Sequence, residues 1–229
     1  MRAALLSIAA ATACLSVASG ARAQAPSAPD PQRGAALAAQ GNPNGAAPCS
    51  QCHGQSGEGN PTGPFPRLTG QSAAYLYKQL QDYTDGSRPS DIMTPIAQAL
   101  SEQERLDAAA YYAGLRSRWA AQSELRPEVA RRGRDLALRG IPSIGNGEVG
   151  VQACGNCHGP NGVGETPVYP ELGGQWAGYA SGQLSAFKSG IRKNDLSAVM
   201  REIAGKLTSD DIDAVSRYYE SIRPRETAR

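Results

Sequence analysis

The sequence predicts an all-α chain made of two similar helical domains in tandem, each organised around one short motif. Three observations carry that expectation. The pentapeptide Cys49-Ser50-Gln51-Cys52-His53 returns as Cys154-Gly155-Asn156-Cys157-His158. The residues around it repeat in the same order: Arg33-Gly34 answers Arg132-Gly133, Pro66 to Gln71 answers Pro170 to Gln175, and Tyr111-Tyr112 answers Tyr218-Tyr219. Apolar residues recur at helical spacing, whereas no alternating strand pattern does.

C-x-x-C-H is the attachment pattern of a c-type haem. Two thiols three positions apart on one helical turn can each add to a vinyl group of the same haem, and the next residue then presents an imidazole to the iron. A zinc ribbon would need its Cys pairs about 15–20 residues apart, far closer than Cys52 and Cys154. A thioredoxin-like Cys pair needs a βαβ setting that is missing here. A plain disulfide leaves each His unexplained. The expected cofactors are two covalently attached haem c groups, held by Cys49 and Cys52 and by Cys154 and Cys157.

The chain has 229 residues, with 23 Lys and Arg against 21 Asp and Glu. Residues 1–23 read as a cleavable signal peptide: Arg2, an apolar run from Ala3 to Ala18, then the Ala21-Arg22-Ala23 cleavage site. The run is too short, and too broken by serines, to favour a membrane anchor. A lipoprotein would use Cys14, but Ala11 stands where Leu is usual. The expected address is the periplasm. Cleavage removes two arginines and no acids, which leaves the charges balanced. With no basic patch, nucleic acid is not an expected partner. Residues 24–124 are slightly acidic and 125–229 slightly basic. That imbalance would orient docking to a redox protein or be a chance feature of solvated faces.

The elements follow in order within two domains, 24–122 and 123–229. Residues 31–40 and 127–139 are first helices, the second opening with Pro127. Gly/Pro-rich loops follow each motif, from Gly54 to Gly70 and from Gly159 to Gly174. Segment 72–85 places Leu76, Leu80 and Tyr83 on one helical face, and its counterpart 176–189 carries Leu184 and Phe187. The last helices begin with the capping boxes Ser101-x-x-Glu104 and, in a weaker version, Thr208-x-x-Asp211. Ile212, Val215, Tyr219 and Ile222 form the apolar stripe of the second. Residues 120–127 form the linker. The segment 141–153 makes the second copy about six residues longer before its motif, and Gly145-Asn146-Gly147 would turn a small hairpin there. Aromatic residues make up only 6% of the chain. Two haems would supply the missing apolar bulk, so the apo-protein is expected to fold poorly.

Counting limits the iron ligands. The only histidines are His53 and His158, one per motif, so bis-histidine haems cannot form within one chain. Beyond Met1 the only methionines are Met93 and Met200, each roughly 40 residues after its histidine and at equivalent repeat positions, in a loop before the last helix. A lone Met is ordinarily core filler. Two at matching positions point to iron ligation through sulfur, which favours Fe(II) and raises the potential. Pro66 and Pro170 are placed to accept the imidazole Nδ1–H through their carbonyls and so fix the rings, or simply to stiffen the loop. Arg88 and Arg192 would pair with haem propionates or be solvated surface residues. Tyr111, Tyr112, Tyr218 and Tyr219 are expected to pack each last helix on the first near Gly34 and Gly133, a propionate bond being the lesser alternative.

Over nearly all of 31–225 the chain resembles class I cytochromes c, and within them the dihaem cytochrome c4 family. The resemblance rests on both C-x-x-C-H motifs, both Pro-x-Leu-x-Gly-Gln segments, and the Met followed by Leu-Ser or Leu-Thr and an acidic helix start. It implies two tandem class I cytochrome c domains, each wrapped around one haem, with the haems facing across the interface. It also implies single-electron transfer from a quinol-oxidising complex to a terminal oxidase, with membrane association only through such partners. A relative of the same design, the dihaem subunit of flavocytochrome c sulfide dehydrogenase, implies the alternative of an electron-accepting subunit of a dehydrogenase. An enzyme, such as a dihaem peroxidase or a thiosulfate-oxidising cytochrome, would need an exchangeable or unusual ligand, and no spare Cys or His exists after cleavage.

Overall fold

The computed structural model describes residues 26–116, 125–143 and 150–223. The leader, Cys14, the centre of the linker and the Gly145-Asn146-Gly147 turn lie outside the described residues. Among the described residues ten α-helices follow one another: α1 Pro31–Gln40, α2 Ser50–His53, α3 Ala73–Thr84, α4 Met93–Gln98 and α5 Glu102–Gly114 in the first half, then α6 Pro127–Arg139, α7 Gly155–His158, α8 Ala177–Lys188, α9 Val199–Gly205 and α10 Ser209–Ser221 in the second. Among the described residues the extended backbone amounts to two isolated antiparallel bridges, Ile141 with Val151 and Glu165 with Tyr169. The first closes the base of the extra 141–153 segment. No helix among the described residues is long and apolar enough to cross a membrane.

The helices start where their caps dictate. Asp30 accepts the Gln32 amide at 2.8 Å ahead of α1. Ser72 caps α3. Both capping boxes form completely, the Thr208–Asp211 pair as fully as Ser101–Glu104. Their carboxylates reach back to the cap amides and satisfy donors that the first turn cannot. α4 and α9 replace the expected loops around the methionines, since Met93 opens α4 and Met200 lies in α9. These helices have six and seven residues, too short for an apolar period to announce them in the sequence.

Each half is held by a close crossing of its first and last helices. A β-carbon on Gly34 would lie 2.1 Å from the Asp107 carbonyl oxygen, and one on Gly133 would lie 2.2 Å from that of Ala214. Only glycine lets the two backbones approach so closely. Ionic contacts tie the same crossings: Arg33 Nε donates to Asp107 at 2.7 Å, and Arg132 Nε to Asp211 at 2.7 Å. The cores beside these crossings are small. Leu37, Ala46, Leu100 and Ala108 form one, and Leu136, Ala137, Val151, Leu207, Ile212, Val215 and Tyr219 the other. Ile222, expected on the α10 stripe, follows the helix and packs only partly buried against the second core.

The halves meet along a seam with approximate twofold symmetry. The Gln175 side chain grips the backbone of Arg67, Oε1 accepting its N–H at 2.9 Å and Nε2 donating to its carbonyl at 3.0 Å. Gln71 grips Glu171 in the same way, at 3.0 and 3.0 Å. Between them the buried Arg67 guanidinium lies 3.5 Å from the Glu171 carboxylate and donates to the carbonyls of Thr69, Gly173 and Gly174.

Two outcomes test these packing arguments. Gly34→Ala and Gly133→Ala should each destabilise the holoprotein by about 1–3 kcal/mol through overpacking. Gly182→Ala, inside α8 where a β-carbon meets nothing within 4 Å, should instead gain about 0.5–1 kcal/mol; thermal melts of the three variants provide the comparison. The second outcome concerns acid. Burial alone would raise the Asp107 carboxyl, but bonds from Arg33, the Asp30 amide and Gln103 outweigh it and hold it below its usual 3.8. A depressed folded pKa stabilises above the unfolded value and is lost as pH falls through the folded one. Asp107→Asn should therefore lower the melting temperature at neutral pH and flatten its fall below pH ~4.

Candidate haem sites

Each C-x-x-C-H forms a short helical turn pinned by its own backbone, the His53 amide bonding to the Cys49 carbonyl and the His158 amide to that of Cys154, both at 2.9 Å. No disulfide joins the motif cysteines Cys49 and Cys52 or Cys154 and Cys157. Burial pushes the Cys49 thiol up and the Cys154 thiol up to about 11, against the opposing hydrogen bonds of Tyr112 and Tyr219. Cys49 and Cys154 therefore stay protonated at neutral pH, the form whose S–H adds across a vinyl group. Tyr112 and Tyr219 are buried and hydrogen-bond the first cysteine of each motif, Cys49 and Cys154. Tyr111 and Tyr218 are the pair that flank the glycine crossings, with their β-carbons beside Gly34 and Gly133.

His53 and His158 are buried. Nδ1 of His53 lies 3.0 Å from the Pro66 carbonyl oxygen, and Nδ1 of His158 lies 2.9 Å from that of Pro170. A carbonyl only accepts, so Nδ1 carries the proton. Burial lowers both imidazole pKa values and outweighs the opposing carbonyl, so the rings are neutral and Nε2 keeps its lone pair. Such a ring is a ready metal ligand with a fixed tautomer. Phe65 stands edge-on to His53 and Tyr169 edge-on to His158, at 6.2 and 5.8 Å between ring centres.

Both histidines face one continuous cavity of about 790 Å³ that runs through the seam, and Met93 and Met200 line the same space. Cofactor sites span roughly 300–1,000 Å³. Its walls are largely apolar: Leu76, Leu80 and Ile96 on one side, Leu184, Phe187 and Ile203 on the other. Cys49, Cys154 and Cys157 reach it as well.

The polar part of the cavity corrects one expectation. Arg88 and Arg192 are not solvated, being 4% and 7% exposed. They cross the seam. Arg88 Nη2 donates to the Tyr179 hydroxyl at 2.6 Å and to Gln183 at 2.7 Å, while Nη1 donates to Gln79 at 3.0 Å. Arg192 donates to Gln183 at 2.7 Å, Gln79 at 3.0 Å and Tyr75 at 3.2 Å. Their guanidiniums lie over the rings of Tyr83 and Phe187. Among the described residues neither arginine bonds to a carboxylate, although both are buried and share the same two glutamines. Two unneutralised buried cations carry a desolvation cost. Apolar walls, paired thiols, neutral imidazoles and guanidiniums without a carboxylate partner together fit a haem, whose propionates would supply negative charge.

The motif residues were legible in the sequence. The bridging residues Tyr75, Gln79, Tyr179 and Gln183 were visible there only as repeat matches; polar residues repeated at helical spacing on an otherwise apolar face were the available signal.

The comparisons agree with this geometry. The cytochrome c family model matches residues 32–115 and 145–223. A thiosulfate dehydrogenase electron acceptor from Stutzerimonas stutzeri (strain A1501) is 38% identical over 83% of this chain and 86% of its own length. The crystal structure of reduced recombinant cytochrome c4 from Pseudomonas stutzeri matches at TM-score 0.71 and 36% identity, over 86% of this chain and all of that one. A thiosulfate dehydrogenase from Marichromatium purpuratum, in its as-isolated form, matches at TM-score 0.75 and 33% identity; it covers 84% of this chain, which spans only 40% of that protein. The repeated motif, the two helical halves and these likenesses lead to one conclusion: the chain belongs to the dihaem cytochrome c4 family, an electron-transfer cytochrome of two tandem cytochrome c domains with two covalently bound haem c groups.

Proposed function

We propose that the protein is a periplasmic one-electron carrier in which His53 and Met93 hold one haem iron and His158 and Met200 hold the other. The observation that supports this most directly is the single cavity shared by both histidines and both methionines. Each haem supplies reversible Fe(II)/Fe(III) chemistry without making or breaking bonds in a substrate. The chain's own residues do the rest. Cys49, Cys52, Cys154 and Cys157 anchor the groups covalently. Pro66 and Pro170 orient the imidazoles. Met93 and Met200 would offer soft thioether sulfur to the irons, which would favour Fe(II) and leave small molecules no open position. Arg88 and Arg192 would neutralise haem propionates, and their bonds across the seam hold the two halves together. Residues 1–23 direct export and are removed, and a boundary near 122/123 separates the domains.

For partners, a quinol-oxidising complex as donor and a terminal oxidase as acceptor is the first reading. A second has specific support: the relative named as an electron acceptor of thiosulfate dehydrogenase. On that reading the protein takes electrons from a sulfur-compound dehydrogenase. The readings separate by rate. A carrier for the dehydrogenase should be reduced by that purified enzyme and thiosulfate within its turnover time, and a respiratory carrier by the quinol-oxidising complex.

The ligand assignment has a direct test. Imidazole is a stronger σ-donor than a thioether, so Met93→His should lower the potential of the first haem alone and Met200→His that of the second alone. Axial ligands tune haem potentials over about 0.8 V, and a fall of about 0.1–0.3 V is expected in each potentiometric titration. Equal movement of both potentials, or of neither, would refute one methionine per iron. The mature holoprotein should begin near Gln24, retain two haems in a denaturing mass spectrum, and bind carbon monoxide slowly when reduced; rapid saturation at neutral pH would show an open iron.

A further inference from the structure

The glutamine grips at the seam do more than join two halves. Pro66 contributes the carbonyl that receives the His53 Nδ1–H, and the N–H of that same peptide unit belongs to Arg67. That N–H donates to Gln175 Oε1 at 2.9 Å, while His53 Nδ1 lies 3.0 Å from the carbonyl oxygen. One amide is thus held at both ends, by the histidine of its own domain and by a glutamine of the other. The second domain mirrors it. His158 donates to the Pro170 carbonyl at 2.9 Å, and the N–H of that peptide, on Glu171, donates to Gln71 Oε1 at 3.0 Å. Each glutamine returns its Nε2 proton to the carbonyl of the gripped residue, at 3.0 Å in both cases. Each Oε1 also takes the next amide of its own chain segment, Ser72 at 3.0 Å or Trp176 at 3.1 Å. Gln71 and Gln175 are 6% and 7% exposed, so water does not substitute for these bonds.

We propose that Gln71 and Gln175 are positioning residues that tune the haem of the opposite domain, Gln175 through the Pro66–Arg67 peptide and His53, Gln71 through the Pro170–Glu171 peptide and His158. This rests on the reading of His53 and His158 as iron ligands. The physics is polarisation along a hydrogen-bond chain. An acceptor on the peptide N–H shifts electron density toward the carbonyl oxygen, which then draws the imidazole Nδ1–H more strongly. A stronger bond at Nδ1 makes the ring a more basic ligand, and a more basic ligand favours Fe(III). Each glutamine therefore holds down the potential of the haem it does not belong to. The crossed arrangement distinguishes this from simple adhesion. Among the described residues the side-chain bonds of Gln71 go to Glu171 and Ser72, and none goes to the Pro66–Arg67 peptide of its own domain. Because each relay is complete only when the halves are docked, the ligand strength at each iron reports the integrity of the seam.

The experiment uses the full-length holoprotein and four forms: wild type, Gln175→Met, Gln71→Met, and Trp176→Phe as a seam control. The control deletes the Trp176 Nε1–H bond to the Glu58 carbonyl, 2.8 Å across the same seam, and leaves both relays intact. Two quantities are read by NMR: the midpoint potential of each haem, and the hydrogen-exchange rate of each histidine Nδ1–H in the reduced protein. Gln175→Met should raise the first haem's potential and speed exchange at His53, with the second haem and His158 unchanged. Gln71→Met should do the reverse, and Trp176→Phe should reproduce neither pattern. A shift in the glutamine's own domain, an equal shift in both, no shift, or the same pattern from Trp176→Phe would each overturn the relay. Should a Met variant fail to fold, Gln175→Glu keeps the acceptor facing the Arg67 and Trp176 amides; it should slow exchange at His53, and unchanged or faster exchange would overturn the proposal. The ligand reading is checked separately in oxidised wild type, where both imidazoles should show large paramagnetic shifts. Their absence would sink the ligand assignment, whereas shifted rings with unresponsive variants sink the relay alone.

Discussion

Everything else in each domain depends on the contact between two helix backbones at a single glycine. With Gly34 seated on the Asp107 carbonyl and Gly133 on that of Ala214, the first helix cannot slide or rotate on the last. Fixing that crossing fixes the segment that follows the first helix, which is the C-x-x-C-H turn, and the tyrosine that faces its first cysteine. The crossing needs no large core, and the described residues form only two small ones. Apolar wall residues such as Leu76, Leu184 and Ile203 point at the cavity. Much of the interior that a protein of this size would ordinarily fill with aromatic side chains is thus left to a flat prosthetic group, while the helix crossing keeps the frame rigid around it.

The legibility of this molecule in its sequence varied with the kind of signal. Covalent chemistry was plain, because C-x-x-C-H constrains five positions at once and appears twice. Caps and long helices were plain, because the box residues and the 3.6-residue period are local. The role of Arg88 and Arg192 was half legible: their positions matched across the repeat, but burial at a seam is a property of two surfaces together, and neither half shows it alone. The short helices holding Met93 and Met200 escaped because one or two turns carry no measurable period. Gln71 and Gln175 were visible as repeated residues, yet the bonds that give them meaning run to the other domain, about a hundred residues away, where local pattern has no reach.

The two halves are copies that have been made unequal in small ways. The first carries Lys78 and Asp82 on α3, paired at 2.5 Å, and the Asn194 side chain of the second half also reaches the Asp82 carboxylate. The matching positions on α8 are Gly182 and Ala186. A half-buried ion pair therefore sits on one side of the arginine cluster only, and the second copy alone has the extra segment after α6. The two candidate haem sites thus differ in their charged neighbours while the proposed ligand residues are matched, so a duplicated domain acquires two distinct sites without a second fold.

The buried Arg67–Glu171 pair carries an implication for assembly. A seam with twofold symmetry is, by construction, one that two identical domains could form with each other. Arg67 and Glu171 occupy the same place in the two copies. Two first domains docked this way would bury arginine against arginine, and two second domains glutamate against glutamate; only the unlike pair cancels its charge. The difference between these residues makes the seam a lock and key rather than a self-complementary surface. The seam therefore accepts a first domain against a second and rejects like against like, so the charge pair fixes which two domains meet.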